Sequence, residues 1–235
     1  MNHSKLFQEY KTLTKDLEGQ KTTALSTLIY GKVKIGKTTL AATAAEVGET
    51  LLFNFENRLA HIPENDNLIF FPNKNSICTI QNLENLITSL KNNPDHGIKF
   101  VVFDTLDSFF FELEREVYKK KNKVNLNFEE RKQINLIINS FISEFKNDLG
   151  INVIVTAHEK DNDEGRKVSL GLASDLKRLV NKYIDNLFYL DINTKNERVI
   201  YTKPNWAYEA GQSSKPGEEL PDFIINPTMK DLIKI

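Results

Sequence analysis

Two rhythms of apolar residues divide this chain. Short runs dense in branched and aromatic side chains predict strands over Leu25–Tyr30, Thr50–Phe55, Leu68–Phe71, Ile98–Phe103, Ile151–Thr156, Asn186–Leu190 and Arg198–Thr202. The runs FVVFD and INVIVT are apolar almost throughout, as expected of strands covered on both faces of a parallel sheet. Between the strands, Leu83, Leu86, Ile87 and Leu90 fall at helical spacing. Ile134, Ile137, Ile138, Phe141, Phe145 and Leu149 do the same and predict one long helix. Strands alternating with helices imply an α/β fold: a three-layer core around a mostly parallel sheet.

Three stretches read as loops: Asn54–Asn67, Glu159–Gly171, and Glu209–Pro221, which leads into a short terminal MKDLIKI. Residues 1–22 predict an N-terminal helical extension, and 23–235 a single domain with a C-terminal tail. A chain of 235 residues can bury a sizeable core without disulfides. Its single cysteine, Cys78, excludes an intrachain disulfide framework and a multi-cysteine zinc site. Lys and Arg total 31 against 32 Asp and Glu, a net charge of -1, which excludes a histone-like nucleic-acid binder but permits a local basic patch. The polar start has no secretory apolar segment, and no uncharged apolar run approaches the roughly 18 residues of a membrane span. These features predict a cytoplasmic protein with no membrane partner.

The chemistry begins at Gly31-Lys32-Val33-Lys34-Ile35-Gly36-Lys37-Thr38, which fits G-x-x-x-x-G-K-[ST]. It follows the apolar strand LSTLIY and enters the helix-forming TTLAATAAEV, the setting a phosphate loop requires. Backbone N–H groups from Gly31 through Thr39 would cradle the phosphates of ATP. Lys37 would reach the β- and γ-phosphates, and the Thr38 hydroxyl would ligate Mg²⁺. A carboxylate ending a neighbouring strand normally completes such a metal site; Asp104, at the end of FVVFD, supplies it, and it could also cap the following helix. The strand LLFNFE delivers Glu56 to the sheet edge where ligands of open α/β sheets sit, and a glutamate there can polarise a water for in-line attack. INVIVTAH delivers His158 to the same edge, where an imidazole can sense the γ-phosphate.

Together these elements resemble the RecA-like P-loop ATPases, and among them the small phage recombination proteins of the Sak-four type. The resemblance rests on LIYGKVKIGKTTLAA, LLFNFEN, FVVFDTLDSF, VIVTAHE, IDNLFYL and KPNW…LPDFIINP. It implies a RecA-like P-loop NTPase core, with Glu56 as the catalytic glutamate and His158 as the polar sensor. It further implies that the loop after His158, carrying Lys160, Arg166 and Lys167, contacts single-stranded DNA. Cations of such proteins reach a neighbouring subunit's γ-phosphate. Lys203 occupies a comparable place, with Arg198 and Arg178 as weaker candidates. Many phage relatives carry a further glycine inside the loop, where this chain has Lys34. The resemblance also implies self-association as a ring or filament and cooperation with a single-strand-binding protein.

DNA contact needs local positive charge. Between Arg115 and Gln133 seven cations, among them Lys119, Lys120, Lys121 and Lys123, stand against three acids, with Tyr118 and Phe128 as candidate stacking faces. A solvated lysine-rich helix end is the plainer reading of the same residues. The leading expectation is a Mg²⁺-dependent ATPase acting on single-stranded DNA in phage homologous recombination, by annealing or strand exchange. The alternatives are an ATP-gated DNA-binding or replication accessory module with negligible turnover, and a small P-loop phosphotransferase.

Overall fold

The computed structural model describes residues 24–56, 59–121, 126–160, 168–172, 177, 182–214 and 217–233. The predicted N-terminal extension lies outside them, as do Lys123, Arg166, Lys167 and Arg178. So do the side chains of Lys120 and Lys121.

The sheet is built first from β1 (Ser26–Gly31), β2 (Thr50–Asn54), β3 (Leu68–Phe71), β4 (Phe100–Asp104) and β5 (Asn152–Lys160). To these add β6 (Ser169–Leu170), β7 (Asn186–Ile192), β8 (Arg198–Tyr201) and β9 (Phe223–Ile225). Their order is β3-β2-β4-β5-β1-β7-β8-β9, with β6 pairing to the far end of β5. Strands β3, β2, β4, β5, β1 and β7 are parallel, while β8 and β9 are antiparallel additions at one edge. The strand carrying Asp104 is therefore separated from the phosphate-loop strand by β5, which brings His158 between them.

The central strands are buried on both faces because their apolar residues alternate between two cores. Leu28, Tyr30, Phe53, Val101, Phe103, Val153 and Val155 face one core. On that side lie α2 (Ile80–Lys91), α3 (Leu106–Lys121) and α4 (Phe128–Ser143). Ile29, Leu52, Phe100, Val102 and Ile154 face the other, which is closed by α1 (Lys37–Ala42) and α5 (Met229–Leu232). A three-layer α/β sandwich results, as the hydrophobic pattern predicts.

Three expectations need correction. The predicted single helix from Ile134 to Leu149 ends at Ser143 and continues as a π-helical turn over Glu144–Asp148; Ile137, placed on its apolar stripe, is 37% exposed. The Glu159–Gly171 loop begins later than expected, because β5 runs through Lys160 and pairs antiparallel with β6. Two polar residues hid that ladder. The C-terminal tail contributes β9, which hydrogen-bonds to β8 and extends the sheet.

Candidate functional site

Parallel register brings the ends of β1, β2, β4 and β5 to one edge: Gly31 lies opposite His158, and Asn54 opposite Asp104. Gly31 must be a glycine, since a Cβ there would collide with the Leu190 carbonyl oxygen of β7. The loop then turns through Lys34 at φ 65° and Gly36 at φ 99°, both in the left-handed region, before α1 begins. Lys34 thus adopts this conformation at a cost of roughly 1–2 kcal/mol for a residue with a Cβ.

Lys37 is buried, and its Nζ donates to the carbonyl oxygens of Gly31 (2.9 Å) and Lys32 (2.7 Å). Burial lowers its pKa, opposed by the nearby carboxylates of Asp104, Asp107, Glu159 and Glu56. Thr38 donates its hydroxyl to Asp104 Oδ1 (3.0 Å) and Oδ2 (2.9 Å), and Thr156 Oγ1 donates to Asp104 Oδ1 at 2.6 Å. Burial raises the Asp104 pKa, against the hydrogen bonds of Thr156 and Thr38 that favour its charged form. The alternative use of Asp104 as a helix cap is not taken up; the Thr105 hydroxyl instead accepts from the Ser108 N–H, at 3.4 Å.

Glu56 lies two residues beyond β2. Its Oε1 accepts from Thr105 Oγ1 (2.9 Å) and Ser108 Oγ (2.7 Å), so α3's first turn fixes this carboxylate. It opens onto a cleft of ≈ 340 Å³ that Phe111, Glu112 and Arg115 also line. His158 is anchored by Asp107: Oδ2 accepts from the His158 backbone N–H (3.2 Å) and lies 3.1 Å from its Nδ1.

The donor set fits Mg²⁺: a hydroxyl and a carboxylate, both hard oxygens, meet at the mouth of the loop. Among the described residues no cluster of three or more His, Cys, Asp or Glu could hold a metal by itself. A metal bound through one or two protein oxygens and the phosphates of a nucleotide suits that inventory. A family model described as an AAA domain matches residues 23–214, taking in the phosphate loop and every strand from β1 to β8. The chain belongs to the AAA domain family. It is a P-loop NTPase, for which nucleotide and Mg²⁺ are the typical ligands. No curated protein matches it.

Other sequence-predicted residues of this AAA domain lie further out. Lys203 is paired with Asp222 at 2.8 Å on the surface. Because β8 runs antiparallel, its first residue, Arg198, is the one beside the phosphate loop, and Lys203 stands five positions further along, about 16 Å away at strand spacing. Lys119 is exposed on α3, which runs through Lys121, so that part of the basic stretch is helical. Two of its arginines have acidic neighbours: Arg115 with Glu112 (2.6 Å) and Arg131 with Glu114 (4.0 Å). Lys160 ends β5 and is exposed.

Sequence reasoning missed the supporting residues. Thr156 precedes His158 by two, the spacing that puts two strand residues on one face, and this was a usable signal. Thr105, Asp107 and Ser108 follow Asp104 directly, but only the fold reveals that they grip Glu56 and His158. No tertiary use of Trp206 was legible either. It is 85% exposed at a turn where Asn205 Oδ1 accepts from the N–H groups of Ala207 (2.7 Å) and Tyr208 (3.0 Å). The Ala207 carbonyl accepts from the Val168 N–H at 2.7 Å, joining that turn to the segment returning from β5.

No helix among the described residues is long and apolar enough to cross a membrane.

Proposed function

We propose that this AAA domain is a Mg²⁺-dependent ATPase acting on single-stranded DNA in phage homologous recombination, by annealing or strand exchange. The observation that carries the ATPase reading is the convergence of Lys37, Thr38, Asp104, Glu56 and His158 on one sheet edge, each held by named partners. Bound Mg²⁺ would supply charge neutralisation at the phosphates, with Thr38 and Asp104 as the residues that hold it. Lys37 leaves the Gly31 and Lys32 carbonyls to bind phosphate oxygens.

Glu56, steadied by Thr105 and Ser108, orients a water and accepts its proton as the oxygen attacks the γ-phosphorus. The bond to the β–γ bridging oxygen breaks, giving ADP and inorganic phosphate. His158, on the strand that leads into the 161–167 segment, couples the nucleotide's state to that segment. Asp107 contacts both the backbone and the ring of His158, which supports a relay between α3 and β5.

The DNA reading is supported by the resemblance of LLFNFEN, FVVFDTLDSF and VIVTAHE to RecA-like recombination proteins, by exposed Lys119 and Lys160, and by exposed Phe128. Self-association and a single-strand-binding partner belong to the same proposal. The test is phosphate release from ATP and Mg²⁺ with and without single-stranded DNA, with Lys37→Ala as the blank. DNA-stimulated release that the variant loses supports the proposal. ATP-dependent DNA binding without release replaces it by an ATP-gated binding module. The absence of both phosphate release and DNA binding overturns it.

A further inference from the structure

A cation lies against the phosphate loop from the side opposite the metal residues. Gly36 lacks a Cβ, and the space that a Cβ would occupy is filled by the guanidinium of Arg198: Cζ and Nε are 2.8 Å from that position and Nη2 is 2.9 Å. Glycine at such a loop position lets a phosphate approach the backbone closely. A phosphate resting there would meet the guanidinium directly.

Arg198 is held to that place by its backbone. It opens β8 opposite Ile192, and its carbonyl accepts from the Asn226 N–H at 2.7 Å. The hairpin turn before it is fixed by Asn193, whose Oδ1 accepts from the N–H groups of Lys195 and Glu197, each at 2.9 Å. Neighbouring β7 is packed against Gly31 too closely to admit a Cβ. Among the described residues the Arg198 side chain has neither an ion pair nor a hydrogen bond, so its five donors are available. Asp104 and Thr38 stand toward β4 and β5, while Arg198 stands toward β7 and β8.

We propose that Arg198 is a phosphate ligand for the nucleotide bound by its own chain, gripping non-bridging oxygens on the edge of the phosphate chain away from Thr38 and Asp104. A guanidinium suits that task because its planar fork pairs two oxygens at once and stays charged at any working pH. This assignment replaces the expectation of Arg198 as a weaker candidate for a neighbouring subunit's γ-phosphate. It rests on the phosphate-loop reading, and its test separates the two.

The full chain is titrated with ATP, ADP and inorganic tripolyphosphate in Mg²⁺, as wild type, Arg198→Ala, Arg198→Lys and Lys37→Ala. The expected result is about tenfold or greater weakening of all three ligands by Arg198→Ala. Arg198→Lys should recover only part of it, because the charge returns without the fork. Melting of the unliganded variants should match wild type, as the side chain supports no other contact. Unchanged affinity overturns the proposal. So does tighter binding, which would make the guanidinium a plug that nucleotide must displace. Weakening confined to ATP and ADP, with tripolyphosphate unaffected, also overturns it, by moving the contact to base or ribose. Restored binding on mixing Arg198→Ala with Lys37→Ala would assign the arginine to a neighbouring copy and overturn the cis contact. If Lys37→Ala binds as tightly as wild type, the phosphate-loop reading itself fails, whatever Arg198 does.

Discussion

Glu56 follows β2 and Asp104 ends the adjacent β4, yet their surroundings set them to different work. Two hydroxyls hold Glu56 at the rim of an open cleft, whereas Asp104 is buried beneath Thr38 and Thr156. Glu56→Gln keeps the shape and both hydroxyl contacts but removes the proton acceptor. Nucleotide affinity should persist while phosphate release falls by about 10²–10⁴-fold. Asp104→Asn should act the other way round. Burial raises the folded Asp104 pKa above its ordinary 3.8, so the folded state takes up a proton at higher pH than the unfolded chain. Its ionised form therefore weakens the unliganded fold above the folded pKa, and that penalty is relieved as pH falls through it. Asp104→Asn should melt at or above the wild-type temperature without ligand, flatten the dependence of melting on acid pH, and lose Mg²⁺-dependent stabilisation by nucleotide.

At the scale of elements, legibility followed burial. The parallel strands were readable because both of their faces are apolar, and the phosphate loop because its glycines and lysine have fixed spacing. Strand β9 was not readable: Phe223 and Ile225 are 52% and 46% exposed, so no core demanded an apolar run there. The end of β5 was lost for the same reason, since Glu159 and Lys160 pair with a two-residue partner and face little core. The π turn after Ser143 was hidden because Phe145 remains fully buried through it, and so kept the apolar spacing intact. The two long helices with capping boxes offer a direct check. Asn127 accepts from the Glu130 N–H (2.9 Å), and Glu130 Oε2 accepts from the Asn127 N–H (2.9 Å). Replacing Asn127 with alanine breaks that reciprocity and should cost about 1 kcal/mol, read as a lower midpoint in urea unfolding.

For the molecule as a whole, Cys78 is a ready gauge of opening. It is fully buried in the larger core, its backbone N–H donates to the Asn54 carbonyl at 2.7 Å, and burial pushes its thiol up to about 12. A thiol reagent should therefore modify it only through unfolding of the sheet's β2 side, and ATP with Mg²⁺ should slow the reaction in wild type but not in Lys37→Ala. The far side of the sheet carries a different instrument. Trp206 is the chain's single tryptophan, and its turn is hydrogen-bonded to Val168, where the chain comes back from the strand that bears His158. A shift of that strand's end on nucleotide binding would reach the turn that bears the indole through this backbone hydrogen bond. Intrinsic fluorescence, with no label attached, should then follow the nucleotide cycle in real time, and Asp107→Asn, which loosens His158, should blunt the emission change.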